Sequence, residues 1–321
     1  MRSKITIIGT GSVGATIAYT IAVKSIASEV VLIDVNGNKA AGEAMDISQG
    51  TPLCDEPISI MAGDYDDAKN SDIVIITSGI ARRPGQTRLE LTQTNVDILK
   101  SITPQITKAA PDAFYIIVSN PVDILTYVFT KVSGIPEHKI IGTGTLLDTA
   151  RLRSRLADDL QISEKSVHAY VLGEHGDSSF IPWSIAQISS IYLKEYMERI
   201  HLYNYRIMPE LDYNEIEDYI RTSGSNIIKN KGATYYAIAI SVCRICETLF
   251  GSSYGVATLS TMMHGEFGIE DVCFSIPTIY GPDGVRGKIT PELTEDELNK
   301  LWYSAEVLKD VIQQVKIHDG I

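Results

Sequence analysis

In the first half of the chain, short apolar runs alternate with segments of helical period. KITIIG (4–9), EVVLID (29–34), DIVIITSG (72–79), AFYIIVSN (113–120) and KIIGTG (139–144) read as buried strands ending in small or polar residues. Between them, VGATIAYTIAV (13–23), KAAGEAMDIS (39–48), 88–110 and VDILTYVFTKVS (122–133) have helical character, with apolar residues at helical spacing. Strands alternating with helices predict right-handed crossovers and a parallel sheet. After about residue 145 the helices lengthen and strands become sparse: SVHAYVLG (166–173), YGVATLSTM (254–262) and VCFSIPTIY (272–280). A last helix is predicted from roughly 294 to 315, where Thr294 and Glu297 have capping-box spacing. The expected fold is α/β, a doubly wound parallel sheet of Rossmann type over 1–144 followed by an α+β domain over 145–321.

Composition narrows the function. The 321 residues are 44% hydrophobic and carry a net charge of −12. No long basic run offers a track for nucleic-acid phosphates, so no nucleic-acid partner is expected. No stretch approaches the roughly 18 uninterrupted apolar residues of a membrane span. The start, MRSKITIIGTG, reads as a first strand rather than a secretory signal. Cys243 and Cys246 form a C-x-x-C without a second pair, inside an apolar helical stretch. They read as small core side chains rather than metal ligands, and no metal is expected. The expected setting is reducing and cytoplasmic.

GTGSVG (9–14) follows the first strand and opens a helix, the context that gives G-x-G-x-x-G its meaning. Gly9 suits the tight turn, Gly11 lets backbone approach a pyrophosphate, and Gly14 lets helix and strand pack closely. Asp34 ends the second strand, where a carboxylate can accept from a ribose 2′-hydroxyl and would repel a 2′-phosphate. The expected cofactor is NAD rather than NADP.

Two further stretches carry chemistry. GTLLDTARLRSRLA (144–157) puts Asp148 and Arg151 at i and i+3 on one helical face. VLGEHGDSS (171–179) holds His175 between Glu174 and Gly176 just past a predicted strand. Beside a dinucleotide site, these residues suggest hydride transfer with an acid/base partner. An unusual loop, GIARRPGQTRLEL (79–91), sets Arg82, Arg83 and Arg88 around a Pro84-Gly85 turn in an otherwise acidic chain.

These strings, with SNPVDILTY (119–127), HAYVLGEHGDSSFIPWS (168–184) and KGATYYAIA (231–239), appear in the order found in the lactate/malate dehydrogenase family, which the chain resembles along essentially its whole length. The resemblance implies NADH-dependent reduction of a small 2-keto acid. His175 would be the acid/base, held by Asp148. Arg151 would grip the substrate carboxylate, and Arg88, on a lid at 80–90, would polarise the carbonyl. Asn120 would bond the carbonyl and fix the ring region, and Thr234 would line the pocket beside the substrate methyl group. Val13, Lys39, Tyr65 and Gly79 would join the three glycines and Asp34 around the cofactor. Ser101, Val118, Asn120 and Thr143 would complete that set.

Arg82 is of the malate type, because an arginine there can meet a second carboxylate. GEHGDSS and Thr234 are of the lactate type, and the balance favours lactate. Arg153 and His168 match a pair that binds fructose 1,6-bisphosphate between subunits in many bacterial lactate enzymes, and a homotetramer is implied. A non-enzymatic nucleotide-binding module would need GTGSVG but not His175, Asp148 and Arg151. An NAD-using glycosidase would be expected to show metal-ligand Cys and His residues after the first domain, which the sequence lacks.

Overall fold

The computed structural model describes residues 3–81, 85, 87–201 and 210–317. Strands β1 (Lys4–Ile8), β2 (Glu29–Ile33), β3 (Ser59–Ala62), β4 (Ile73–Ile76), β5 (Phe114–Ile117) and β6 (Ile140–Gly142) form parallel pairs in the spatial order β3-β2-β1-β4-β5-β6. The connecting helices are α1 (Ser12–Val23), α2 (Gly37–Gly50), α3 (Arg88–Ala109) and α4 (Val122–Val132). This is the doubly wound order: the strands stay parallel, but the direction in which the chain adds them across the sheet reverses between β1 and β4. Ligands of such sheets sit beyond the carboxyl ends of the strands at that reversal.

The strands are short apolar runs because both faces of the sheet are covered. Ile73 and Ile75 point into one core cluster with α1, while Val74 and Ile76 point into another with α3 and α4. All four side chains are fully buried. Period-two alternation thus feeds two cores from one strand.

The second half contains α5 (Leu146–Leu160), β7 (Val167–His168), β8 (Gln187–Ile188), β9 (Ile191–Tyr192), α6 (Leu193–Arg199), α7 (Tyr213–Lys231), α8 (Tyr236–Phe250), β10 (Gly255–His264), β11 (Glu270–Gly281), β12 (Gly284–Lys288) and α9 (Glu295–Gln314). Strand β10 lies antiparallel to β6 through Ser260 and Gly142, so one nine-stranded sheet among the described residues runs through both halves. A third apolar cluster joins α5, α7 and the 167–188 segment. Cys243 and Cys246 of α8 are fully buried beside Ile5 and Ile7, and burial pushes the Cys243 thiol up to about 12. They are core thiols, as the sequence suggested. Thr294 and Glu297 form the reciprocal capping box at the start of α9.

The strand expected over 166–173 is largely absent, since only Val167 and His168 are in a strand. The cause is competition from side chains of α5. The Thr149 hydroxyl oxygen accepts the Val171 N–H at 2.9 Å, and the Thr145 hydroxyl donates to the Val171 carbonyl at 2.5 Å. Strands β3 and β12 escaped the sequence reading. In β3 only Ile60 is buried, and β12 carries two glycines and a lysine in five residues.

The reversal point explains two glycines. Gly9 has φ +97°, and a Cβ there would lie 2.7 Å from the Ser78 amide nitrogen just past β4. A Cβ on Gly14 would lie 1.9 Å from the Gly9 carbonyl oxygen. Gly14→Ala should therefore lower the unfolding free energy by about 1–3 kcal/mol, the usual range for overpacking. Gly11→Ala should lower it less, because nothing lies within 4 Å of its Cβ position. Urea midpoints of the two variants check this, and equal losses would refute the close-packing argument.

Candidate active site

Beyond the carboxyl ends of β5 and β6 lies a cavity of about 280 Å³. Its lining includes Val118, Asn120, Thr143, Asp148, Arg151, His175 and Thr234, residues separated by up to 116 positions in sequence. Asn120 and Val118 reach it from the end of β5, Thr143 from the end of β6, and Asp148 and Arg151 from the first turns of α5.

Asp148 is 6% exposed and sits between two cations. One carboxylate oxygen lies 2.5 Å from His175 Nδ1, and the other accepts from Arg151 Nη1 at 2.9 Å. Desolvation pushes the Asp148 carboxyl up. The His175 charge and hydrogen bond, followed by those of Arg151, outweigh it and hold the carboxyl below its ordinary value. The reciprocal effect raises His175 to about 9. The Asp148 charge is the largest cause, burial opposes it, and the Asp148 hydrogen bond and the Asp123 charge add to it. With Nδ1 turned to Asp148, Nε2 is the ring nitrogen left to exchange a proton with a ligand.

The histidine loop has supports that the sequence did not announce. Asp123 in α4 is 2% exposed and accepts the His175 backbone N–H at 2.7 Å. Its other oxygen accepts from Ser260 Oγ of β10 at 2.5 Å. Burial raises the Asp123 carboxyl to about 6 despite those two hydrogen bonds. Ser304 of α9 accepts the Glu174 N–H at 2.7 Å, and Ser178 Oγ donates to Glu174 at 2.5 Å. An aspartate in the first turn of a helix reads in sequence as an ordinary helix-start residue. Its sole warning was its place in the apolar string VDILTYVF.

Arg88 opens α3 and lies outside that cavity lining. It is exposed and pairs with Asp177 at 3.0 Å, two residues past His175. Arg82, Arg83 and Pro84 lie outside the described residues. The stem of their loop is anchored by Asn95 of α3, a second residue missed in sequence. Its side chain accepts the Ile80 N–H at 2.9 Å and donates to the Asn120 carbonyl at 2.8 Å. Gly79 packs against the same amide, 3.3 Å from where its Cβ would be.

The glycine turn fits a dinucleotide. Gly11 is the N-cap of α1 and supplies no side-chain cap, so the first amides of that helix remain for an anion. Val13 sits in the first turn of α1, and Lys39 is exposed in the first turn of α2. Asp34 follows β2, and its carboxylate accepts from Thr10 N at 2.7 Å, Thr10 Oγ1 at 3.1 Å and Asn36 N at 2.9 Å. Burial raises its carboxyl, but these bonds and the Lys39 charge hold it lowered, so it is anionic at neutral pH. Tyr65 lines a separate recess with Lys69 and Lys108. Ser101 is exposed on α3, its hydroxyl donating to the Ile98 carbonyl at 2.7 Å.

The family model for the lactate/malate dehydrogenase NAD binding domain matches residues 3–142, and that for the lactate/malate dehydrogenase alpha/beta C-terminal domain matches 145–318. The chain belongs to the lactate/malate dehydrogenase family. It is 41% identical to the L-lactate dehydrogenase of Acetivibrio thermocellus over 314 residues, covering 98% of each chain. It is 42% identical to the L-lactate dehydrogenase of Thermoanaerobacterium saccharolyticum over 318 residues, covering 98% of this chain and 100% of the relative. Among solved structures, the minor L-lactate dehydrogenase of Enterococcus mundtii aligns with a TM-score of 0.93 at 37% identity over 99% of both chains. In this family a dinucleotide site beside an Asp–His pair makes the chain an NAD-dependent oxidoreductase.

The Asp148–His175 pair generates a titration test. Removing the Asp148 charge in Asp148→Asn should move the His175 midpoint down from about 9 toward or below the ordinary 6.5. Imidazole NMR signals followed from pH 5 to 10 read it directly. The linkage has the matching sign. A raised histidine stabilises the fold fully below pH 6.5, and that contribution is lost as pH rises through about 9. The wild type should therefore lose stability over this window more steeply than Asp148→Asn, and identical slopes would disprove the coupling.

Proposed function

We propose that this chain is an L-lactate dehydrogenase that reduces pyruvate to L-lactate with NADH. The observation that carries the reading is the 2.5 Å contact between Asp148 and His175 Nδ1 inside a cavity shared with Arg151. NADH supplies the hydride when bound, and Gly9, Gly11, Gly14 and Asp34 would hold it. His175, protonated at Nε2, gives its proton to the keto oxygen as the carbonyl is reduced. Asp148 keeps the ring oriented and its charged form favoured. Arg151 has one donor engaged by Asp148, and its five-donor fork suits the substrate carboxylate. Asn120 would bond the keto oxygen, and Thr234 would line the pocket beside the substrate methyl group. Arg88 would join the developing oxyanion on closure of the 80–90 lid.

The division of labour follows the chain: 1–144 binds the nucleotide and 145–321 the substrate. Malate and oxaloacetate remain a second reading, because Arg82 in the lid sequence can meet a second carboxylate. Arg153 and His168 would take a bisphosphate effector. Arg153 donates to the Ala169 carbonyl at 3.1 Å, beside exposed His168. Fructose 1,6-bisphosphate bridging subunits there would favour the active tetramer. Met45 and Leu53 near α2, and Tyr236 and Ile240 on α8, are exposed apolar side chains in the single chain and suit burial in a homotetramer. No helix among the described residues is long and apolar enough to cross a membrane. A cytoplasmic enzyme is consistent with four free cysteines.

NADH absorbance with pyruvate and with oxaloacetate tests the reading. Pyruvate should show the higher kcat/KM, and a preference for oxaloacetate by orders of magnitude would make the enzyme a malate dehydrogenase. His175→Ala should lower kcat by orders of magnitude while leaving the fold intact by circular dichroism. Arg82→Gln should lower the oxaloacetate-to-pyruvate ratio by roughly ten- to a hundred-fold, at about 1.4 kcal/mol per decade. An unchanged ratio would remove Arg82 from specificity.

A further inference from the structure

Helix α7 forms one wall of the substrate cavity through Ile220, Arg221, Gly224, Ser225 and Ile228. Ile220, Gly224 and Ile228 are spaced i, i+4 and i+8, so their side chains form one row along the helix. The middle position of that row has no side chain. A Cβ at Gly224 would meet nothing within 4 Å, so neither close backbone approach nor a neighbouring side chain requires glycine there. Glycine in a helix interior is unfavourable relative to alanine. The space it opens between two isoleucines belongs to the same cavity as His175 and Arg151.

The notch is apolar in its demands. Ser225 and Ser241, which also line the cavity, spend their hydroxyl hydrogens on the Thr222 and Ala237 carbonyls of their own helices. Arg221 is held by Glu217 at 3.3 Å and Asp218 at 2.9 Å and also donates to the Ser179 carbonyl. Its charge is thereby balanced by two carboxylates rather than offered to a ligand. Val118, Leu147 and Ile238 complete the apolar part of the lining.

We propose that Gly224 is a specificity-determining residue, opening a subsite that takes the side chain of 2-oxo acids longer than pyruvate, unbranched ones of two to three carbons first. The proposal rests on the 2-hydroxyacid dehydrogenase reading above and sets the substrate range of the same site. Each added methylene would leave water for the groove between Ile220 and Ile228.

The test is kcat/KM with NADH for pyruvate, 2-oxobutanoate and 2-oxopentanoate, in wild type, Gly224→Ala and Gly224→Leu. The wild type should turn over 2-oxobutanoate and 2-oxopentanoate within about tenfold of pyruvate, since an apolar pocket that accommodates a methylene discriminates weakly against it. Gly224→Ala should lower the 2-oxopentanoate-to-pyruvate ratio by about tenfold, and Gly224→Leu by more, as filling a pocket by one or more carbons does. Alanine is the best helix former, so this variant keeps the fold. Ratios unchanged in both variants, or a wild type that turns over pyruvate alone, overturn the subsite while leaving the lactate reading standing. No turnover of any 2-oxo acid by wild type overturns both.

Discussion

A carboxylate buried to 6% exposure is the constraint on which the site depends. Asp148 bears a charge that the protein interior resists, and it is tolerable there because two cations and their hydrogen bonds meet it. That requirement fixes geometry. His175 must come within 2.5 Å from a loop, and Arg151 must sit one helical turn on. Removing either partner leaves the carboxylate under-compensated, so the three residues form one electrostatic unit. The same unit keeps the imidazole charged well above its ordinary range, the state a proton donor needs before reduction begins.

The unit also depends on the continuous sheet. The histidine loop is tied to α4 by Asp123 and to α9 by Ser304, and Gly173 pairs with Ser275 of β11. Ser260 bonds Asp123 from β10, while Ser275 Oγ accepts the Thr145 N–H at the start of α5. Loops that carry chemistry are usually the mobile parts of a fold. Here the chemical loop is bonded to elements from both halves of the chain. Its position relative to Asn120 and Asp148 is therefore a property of the central sheet, whose strands are buried on both faces.

How much of this was legible in sequence depended on whether a feature is local. The strands β1, β2, β4, β5 and β6 are short, largely apolar runs, and GTGSVG places its glycines by spacing alone, so these elements could be read directly. Asp148 and Arg151 are one turn apart, and their pairing follows from helical geometry. Asp123 and Asn95 could not be read, because their partners are far away in sequence: 52 residues separate Asp123 from His175, and 25 separate Asn95 from Asn120. The segment 169–173 looked like a strand because its composition suits one, but the Val171 backbone bonds to Thr149 of α5 and to its N-cap Thr145, and Leu172 and Gly173 make only isolated bridges to Phe180 and Ser275. Edge strand β3 buries too little to leave a hydrophobic signature. Arg82 was singled out from its sequence position, and the described residues do not include it.

Arg88 shows how a residue can lie outside the cavity and still fit a role at its mouth. Its partner Asp177 lines that cavity, and the two side chains are 69% and 82% exposed. An ion pair so open to water contributes at most about 1 kcal/mol, and salt weakens it further. It therefore guides Arg88 toward the histidine loop without holding it against a stronger competitor. An oxyanion forming in the water-poor space beside His175 would be such a competitor, because charge interactions strengthen as water leaves. The capping box at Thr87 and Glu90 fixes the start of α3 and hence the point from which Arg88 would swing in the proposed reaction. The weak surface pair and the firm helix start together give a side chain with a defined origin and only a weak hold on its present partner.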